Sequence, residues 1–297
     1  MFVWIFKEFK PSEPFLNPFL THNRSDPTNP GKGFSNSVLE EDVYPIWTYS
    51  YLVASVGALL LSDVLVYKPV IILESLAYLS TRVLLLWGSS LGLMKLMQLL
   101  YGIATGTEVA YYAYIYIMMD KRHFKVYTSF TRAAVLLGRS LSGYLGQLLY
   151  STSVLNLEGL HYFSLASILV ASLFSLLLPN PPRSLCSCYG QSTCPRNFKT
   201  NIKKHINCAF ADIKQFYCNL HLLKWSVWWA IATCGMLQVG NFVQSLWTDI
   251  AAESDSEVTE SNSTAHKQQK LYNGLVVATD TLVGAGAALT VSVLRVN

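Results

Sequence analysis

The chain has 297 residues, of which 52% are hydrophobic and only 13% charged, with a formal net charge of +4. Soluble domains carry about 25% charged residues, so the balance indicates a membrane protein. The small positive excess, with no nucleic-acid motif, gives no reason to expect a nucleic-acid partner. Six cysteines in a chain of this length do not make a disulfide scaffold.

Met1 to Leu20 starts with an apolar run, MFVWIF, too short to span, followed at once by KEFKPSEPFLNPFL. It reads as the surviving outer part of a first helix, kinked by prolines, and not as a signal peptide, because its charges lie on the wrong side and no small-residue cleavage site follows. His22 to Asp42 is a polar loop containing Asn23-Arg24-Ser25, a glycosylation acceptor. Tyr44 to Ser62 is a second, uncharged span with aromatic residues at one end, as an interfacial belt requires. Pro69 to Gly88 is a third, with Glu74 and Arg82 inside it.

Leu91 to Met119 is a fourth span, roughly 43 Å long as a helix, against a ~30 Å hydrocarbon core. Gln98, Tyr101, Thr105, Glu108 and Tyr112 fall on one face of it. A carboxylate at the depth of Glu108 is costly, so it faces a partner or an aqueous cavity. Val126 to Tyr150, holding Arg132 and Arg139, is a fifth span, and Leu160 to Leu178 an uncharged sixth. Pro179 to His221 is a basic linker with one acid, Asp212. Leu222 to Trp247 is a seventh span, followed by an acidic loop with a second acceptor, Asn262-Ser263-Thr264, and Leu271 to Val293 is an eighth.

The basic loops, DKRHFK and the linker, alternate with the loops that carry glycosylation acceptors. The positive-inside rule therefore puts the linker in the cytoplasm and Asn23 and Asn262 outside. Cys186, Cys188 and Cys194 have no standard zinc spacing; a palmitoylated juxtamembrane Cys186 or Cys188 fits better. No HExxH, GxSxG or P-loop is present, so neither an enzyme nor an ATP-driven pump is expected, and neither a cofactor nor a metal.

Five stretches carry a family resemblance: Lys10-Pro-Ser-Glu-Pro-Phe-Leu16, Tyr44 to Leu52 (YPIWTYSYL), Tyr67 to Leu73 (YKPVIIL), Thr105 to Tyr116 (TGTEVAYYAYIY) and Gln238 to Trp247 (QVGNFVQSLW). Together they resemble the thiamine transporter and reduced folate carrier family, over Pro11 to Asn297. The resemblance implies a major-facilitator fold of twelve helices in two halves. Residues 1–178 would then be most of the first half, 179–221 the cytoplasmic linker, and 222–297 the first two helices of the second half. Eight all-α spans of twelve are accordingly expected, the first of them shortened.

The resemblance further implies a vitamin pocket lined by Glu13, Trp47, Gln98, Tyr101, Asn241 and Gln244, with Trp47 and Tyr101 sandwiching an aromatic ring. Folate carriers look Arg-rich where Glu108 stands, whereas thiamine carriers have the acid, which favours a cationic vitamin. A fixed thiazolium charge calls for a carboxylate, aromatic faces and amides. Two positions depart from the pattern: Gln98 replaces an acid, and Val277 replaces another, with Asp280 one turn later.

The implied function is thiamine uptake across the plasma membrane by alternating access. The alternatives are a reduced folate or other B-vitamin carrier, and a transport-inactive membrane protein that only binds partners; a seven-helix receptor fits the eighth span poorly. Membrane lipid is an expected partner; the oligomeric state is left open. Counting from helix ends puts Glu108 about 16 Å and Arg139 about 20 Å deep, so these two are expected to pair as a structural or gating contact, with Arg132, only about 9 Å deep, and Arg82 as rival partners.

Overall fold

A computed structural model describes residues 2–24, 30–61, 67–180, 211, 213–259 and 273–293, all of them helical or in short connections. It divides into two units, one formed by 1–196 with 272–297 and the other by 197–271.

The first unit starts with a broken helix. α1 (Phe2–Glu8) ends before Pro11, a 3-10 turn (Glu13–Phe15) contains Pro14, and α2 (Leu16–Thr21) contains Pro18. Each proline lacks the donor an unbroken helix would use. Polar backbone freed inside a membrane protein needs partners from neighbouring helices. α8 (Leu157–Leu176) supplies them: Ser164 Oγ accepts from the Ser12 amide at 3.1 Å, and Ser167 Oγ donates to the Phe6 carbonyl at 2.7 Å. The short turn α3 (Asn36–Val38) passes through a π-helical turn into α4 (Tyr44–Leu61).

α5 (Lys68–Trp87), α6 (Leu91–Met118) and α7 (Phe124–Ser151) follow, all within two residues of the expected bounds. Pro69 sits at the start of α5, where its missing amide hydrogen is harmless. Ser90 and Asn156 cap α6 and α8 by accepting from the amides of Leu93 and Gly159. α6 packs on α4 and α5, α5 on α8, and α1 on both α7 and α8.

Small residues set the closest approaches, as helices without a hydrophobic drive between them require. Gly102 and Gly106 of α6 press on Ser50, Tyr51 and Ala54 of α4; a Cβ at Gly106 would lie 2.7 Å from that of Ala54.

Outward faces are apolar, with Tyr49, Leu52, Val53, Leu73, Leu76, Leu169 and Leu173 exposed, while Lys7, Glu8, Lys10, Glu74, Arg82 and Gln98 are buried. Two apolar clusters bracket that charged layer. Phe15, Phe19, Leu85, Met94 and Leu160 pack toward the Trp87 end of α5, and Trp4, Ile71, Tyr111, Tyr114 and Val135 toward the Lys68 end. Among the described residues, three helical stretches are long and apolar enough to cross a membrane by length and composition alone: Lys68–Trp87, Leu157–Leu176 and Gly274–Val291.

The second unit holds α9 (Leu220–Thr259). Its 40 residues run past Trp247, where the sequence reading ended the seventh span, through the acidic stretch to Thr259. That segment, DIAAESDSEVT, contains neither glycine nor proline to stop the helix. The final helix, α10 (Asn273–Val293), belongs to the first unit and lies along α7, with Gly143 against Gly274. The expected boundary at 222 grouped it with α9 instead. Residues 181–210 of the linker and Asn262 lie outside the described residues.

Candidate functional site

Two groups of ions occupy the interior. At the Lys68 end, Lys7 pairs with Glu74 and lies 3.5 Å from Glu108 Oε2. Its ammonium also stands over the rings of Trp4, at 4.3 Å, and Tyr78, at 5.1 Å. Next along the chain, Glu8 accepts from Arg139 Nε at 2.6 Å.

Eight residues further along α5, about 12 Å, Arg82 pairs with Glu13 and donates to Ser12 Oγ at 3.4 Å. Arg82 is buried, whereas the Glu13 side chain is 39% exposed. The Tyr101 hydroxyl lies 3.5 Å from Glu13 Oε1. Between the two groups, Lys10 is buried with its ammonium 4.8 Å from the centre of the Tyr78 ring and forms no ion pair among the described residues.

One aromatic wall joins both groups. Tyr51, Trp47, Tyr101 and Tyr78 follow one another with ring centroids 5.9, 6.1 and 6.0 Å apart. Trp47 is held by its indole N–H, which donates to Thr105 Oγ1 at 3.1 Å, and Thr105 in turn donates to the Tyr101 carbonyl. A flat ligand between two rings needs roughly 7 Å, twice the ~3.5 Å carbon contact distance. At 6.1 Å and 33°, Trp47 and Tyr101 stand closer than that, so a ring stacks on one of them and does not enter between them.

The structure thus brings Glu13, Trp47 and Tyr101 together, with Gln98 buried one turn from Tyr101 on α6. Asn241 and Gln244 lie three residues apart on α9, in the second unit, and their side chains lie outside the described residues. Asp280 is exposed on α10, and Asn23 is exposed in its loop.

The expected pairing of Glu108 with Arg139 is not what the structure has. α7 packs on α1 and α10 and not along α6, so Arg139 meets Glu8 of α1, and Glu108 meets Lys7. Arg132 is exposed and makes no ion pair among the described residues, and Arg82 is taken by Glu13. The sequence reading passed over Lys7, Glu8 and Lys10 as binding or pairing residues. Their signal was the KEFK run directly after an apolar stretch, which on a membrane helix calls for buried counter-ions.

Among the described residues, an all-helical body with apolar outer faces, and with paired ions and an aromatic wall inside, is the build of a membrane protein with a polar interior. The sequence profile of the reduced folate carrier family matches residues 2–205 and 190–297. Thiamine transporter 2 of Macaca fascicularis is 34% identical over 98% of this chain and 64% of its own length. Thiamine transporter 2 of Homo sapiens is 33% identical over the same shares, and Folate transporter 1 of Caenorhabditis elegans 32% identical over 98% and 63%. The chain belongs to the reduced folate carrier family, whose members are membrane transporters and not enzymes. It spans just under two thirds of the length of these relatives.

Proposed function

We propose that this chain is part of a plasma-membrane vitamin carrier with a major-facilitator layout, eight of its spans lying in this sequence, and that its cargo is thiamine. The observation that carries the reading is the wall of Trp47, Tyr101 and Tyr78 running beside the half-exposed carboxylate of Glu13. An aromatic surface next to an acid suits a flat cationic ring by stacking and cation–π attraction. Gln98 offers an amide for a ring nitrogen or exocyclic amine, and Asn241 and Gln244 are proposed to contribute further amides from α9. In this reading residues 179–221 are cytoplasmic, and Asn23 and Asn262 carry glycans outside.

A folate cargo has its own support. Lys10 is a buried cation without an ion pair among the described residues, and Arg82 already answers Glu13, so an anionic ligand has a ready counter-charge.

Uptake by cells expressing the protein, competed with unlabelled thiamine or reduced folate, separates the two. Thiamine is expected to compete at the lower concentration. Trp47→Ala or Tyr101→Ala is expected to weaken uptake by about 1–3 kcal/mol, roughly 5- to 150-fold. Stronger competition by folate would assign the cargo to the Lys10 reading, and unchanged uptake by both variants would remove the wall from the site. If neither compound is taken up, the transport-inactive alternative stands. An epitope near Asn201 that stains unpermeabilised cells would overturn the orientation.

A further inference from the structure

The ions at the Lys68 end do not balance. Lys7 faces two carboxylates, Glu74 and Glu108, so the three carry one net negative charge when all are ionised. The elements packed around them do not correct this. Lys10, the other buried cation of this segment, stands 4.8 Å from the Tyr78 ring and forms no ion pair with either acid among the described residues. On α1, Glu8 is held by Arg139 of α7. α6 adds the phenols Tyr111 and Tyr112, which pack on Trp4, and α5 adds Tyr78. α8 presents Ser172 and no ionisable side chain there, and Arg132 of α7 is exposed. Glu108, its side chain 27% exposed, has solvent to carry its charge, whereas Glu74 is dry; an uncompensated charge there is expensive, and a proton is the smallest ligand that removes it.

Two further observations point to which carboxylate takes it. Glu74 is 3% exposed, and while its Oε1 accepts from Lys7, its Oε2 accepts no hydrogen bond among the described residues. An ionised carboxylate is an acceptor only; protonated, it gains a donor that can use a neighbouring acceptor. Beside Glu74 lies a cavity of about 20 Å³ lined by the polar Lys7, Glu74, Ser75, Tyr78 and Ser172 and by apolar residues of α1 and α8. That is above the ~10–15 Å³ one water molecule needs, and its hydroxyls supply the polar partners.

We propose that Glu74 is a proton-binding site. The proton adds to Oε2 and converts the carboxylate to a carboxylic acid, which brings the three-ion group to neutrality. The Lys7 ammonium, no longer held by a charge on Glu74, passes to Glu108, whose Oε2 is already 3.5 Å away. No other bond changes. The exchange moves the tie of α1 from α5 to α6, and α1 is also the element packed on α7 and α8, so proton occupancy selects which helix α1 is pinned to.

The test is acid-induced infrared difference spectroscopy on the purified full chain in lipid nanodiscs, without cargo, so the result does not depend on which vitamin is carried. Acidification is expected to produce a carboxylic-acid carbonyl band that is absent in Glu74→Gln and moved to lower pH in Glu108→Gln, which removes the second negative charge facing Lys7. Lys7→Met, which removes the competing cation, is expected to move the midpoint up by about one pH unit or more, a tenfold or lower proton concentration. Where Glu74→Gln does not fold, Glu74→Asp keeps an acid in place and is expected to shift the frequency of the band. The proposal falls if the wild-type protein gives no such band, if the band survives Glu74→Gln or ignores Glu74→Asp, if Glu108→Gln leaves its midpoint unmoved or raises it, or if it answers to sodium at constant pH.

Discussion

The two ion groups, about 12 Å apart along α5, differ in stoichiometry and in wetness. At the Lys68 end one buried cation serves two acids, Glu74 covered and Glu108 27% exposed. At the Trp87 end Arg82 and Glu13 match one to one, and the acid is half exposed beside the aromatic wall. The difference teaches that a charge pair in a membrane interior is described by which partner is dry. The dry partner depends on the other, while the wet one has solvent to fall back on.

The sharpest way to break that comparison is to cut the Arg82–Glu13 pair from each side. Glu13→Ala strands a buried guanidinium and is expected to cost about 3–5 kcal/mol. Arg82→Ala leaves a carboxylate that water reaches, and is expected to cost clearly less. Reversible unfolding in mixed micelles measures both, and equal losses would show that exposure of Glu13 does not matter.

Next in size is the seam that holds the wall in place. Gly106→Ala puts a Cβ 2.7 Å from Ala54 Cβ and 2.9 Å from backbone atoms of α4, so the helices must part, at about 1–3 kcal/mol. Since Trp47 and Tyr101 sit on those two helices, cargo affinity is expected to fall with stability. Gly57→Ala on α4 meets nothing within 4 Å and is expected to be neutral or stabilising by roughly 0.5–1 kcal/mol. The same loss from both substitutions would place the cost in helix propensity and not in the seam.

The smallest expected loss lies outside both groups. Asn156→Ala removes the side-chain cap of α8, worth about 1 kcal/mol. α8 touches the Lys68-end group through the cavity and the chain break through Ser164, so its loss is expected to lower stability without changing the carbonyl band of Glu74. A changed band would couple the cap to the ion group.

Much of the architecture was readable from residue order. Apolar runs of helical length placed α4 to α8 to within a few residues, because a span needs about 20 apolar residues; the caps Ser90 and Asn156 emerged only with the structure. The face of Gln98, Tyr101, Thr105 and Glu108 was legible for the same reason, since helical periodicity is a local property. The acidic end of α9 was misread as a loop, because polarity was taken as a stop signal in a stretch without glycine or proline.

What only the tertiary structure decided is which helices are neighbours, and so which charge meets which. Counting 1.5 Å per residue gives the depth of Glu108 and Arg139 but not the direction each side chain faces. A short connection between α6 and α7 suggested a shared surface, yet α1 is the helix that packs on α7, so Glu8 takes Arg139 and Lys7 takes Glu108. Depth is fixed by local geometry along one helix, whereas partnership depends on packing among residues distant in the chain: Lys7 and Glu74 are 67 residues apart.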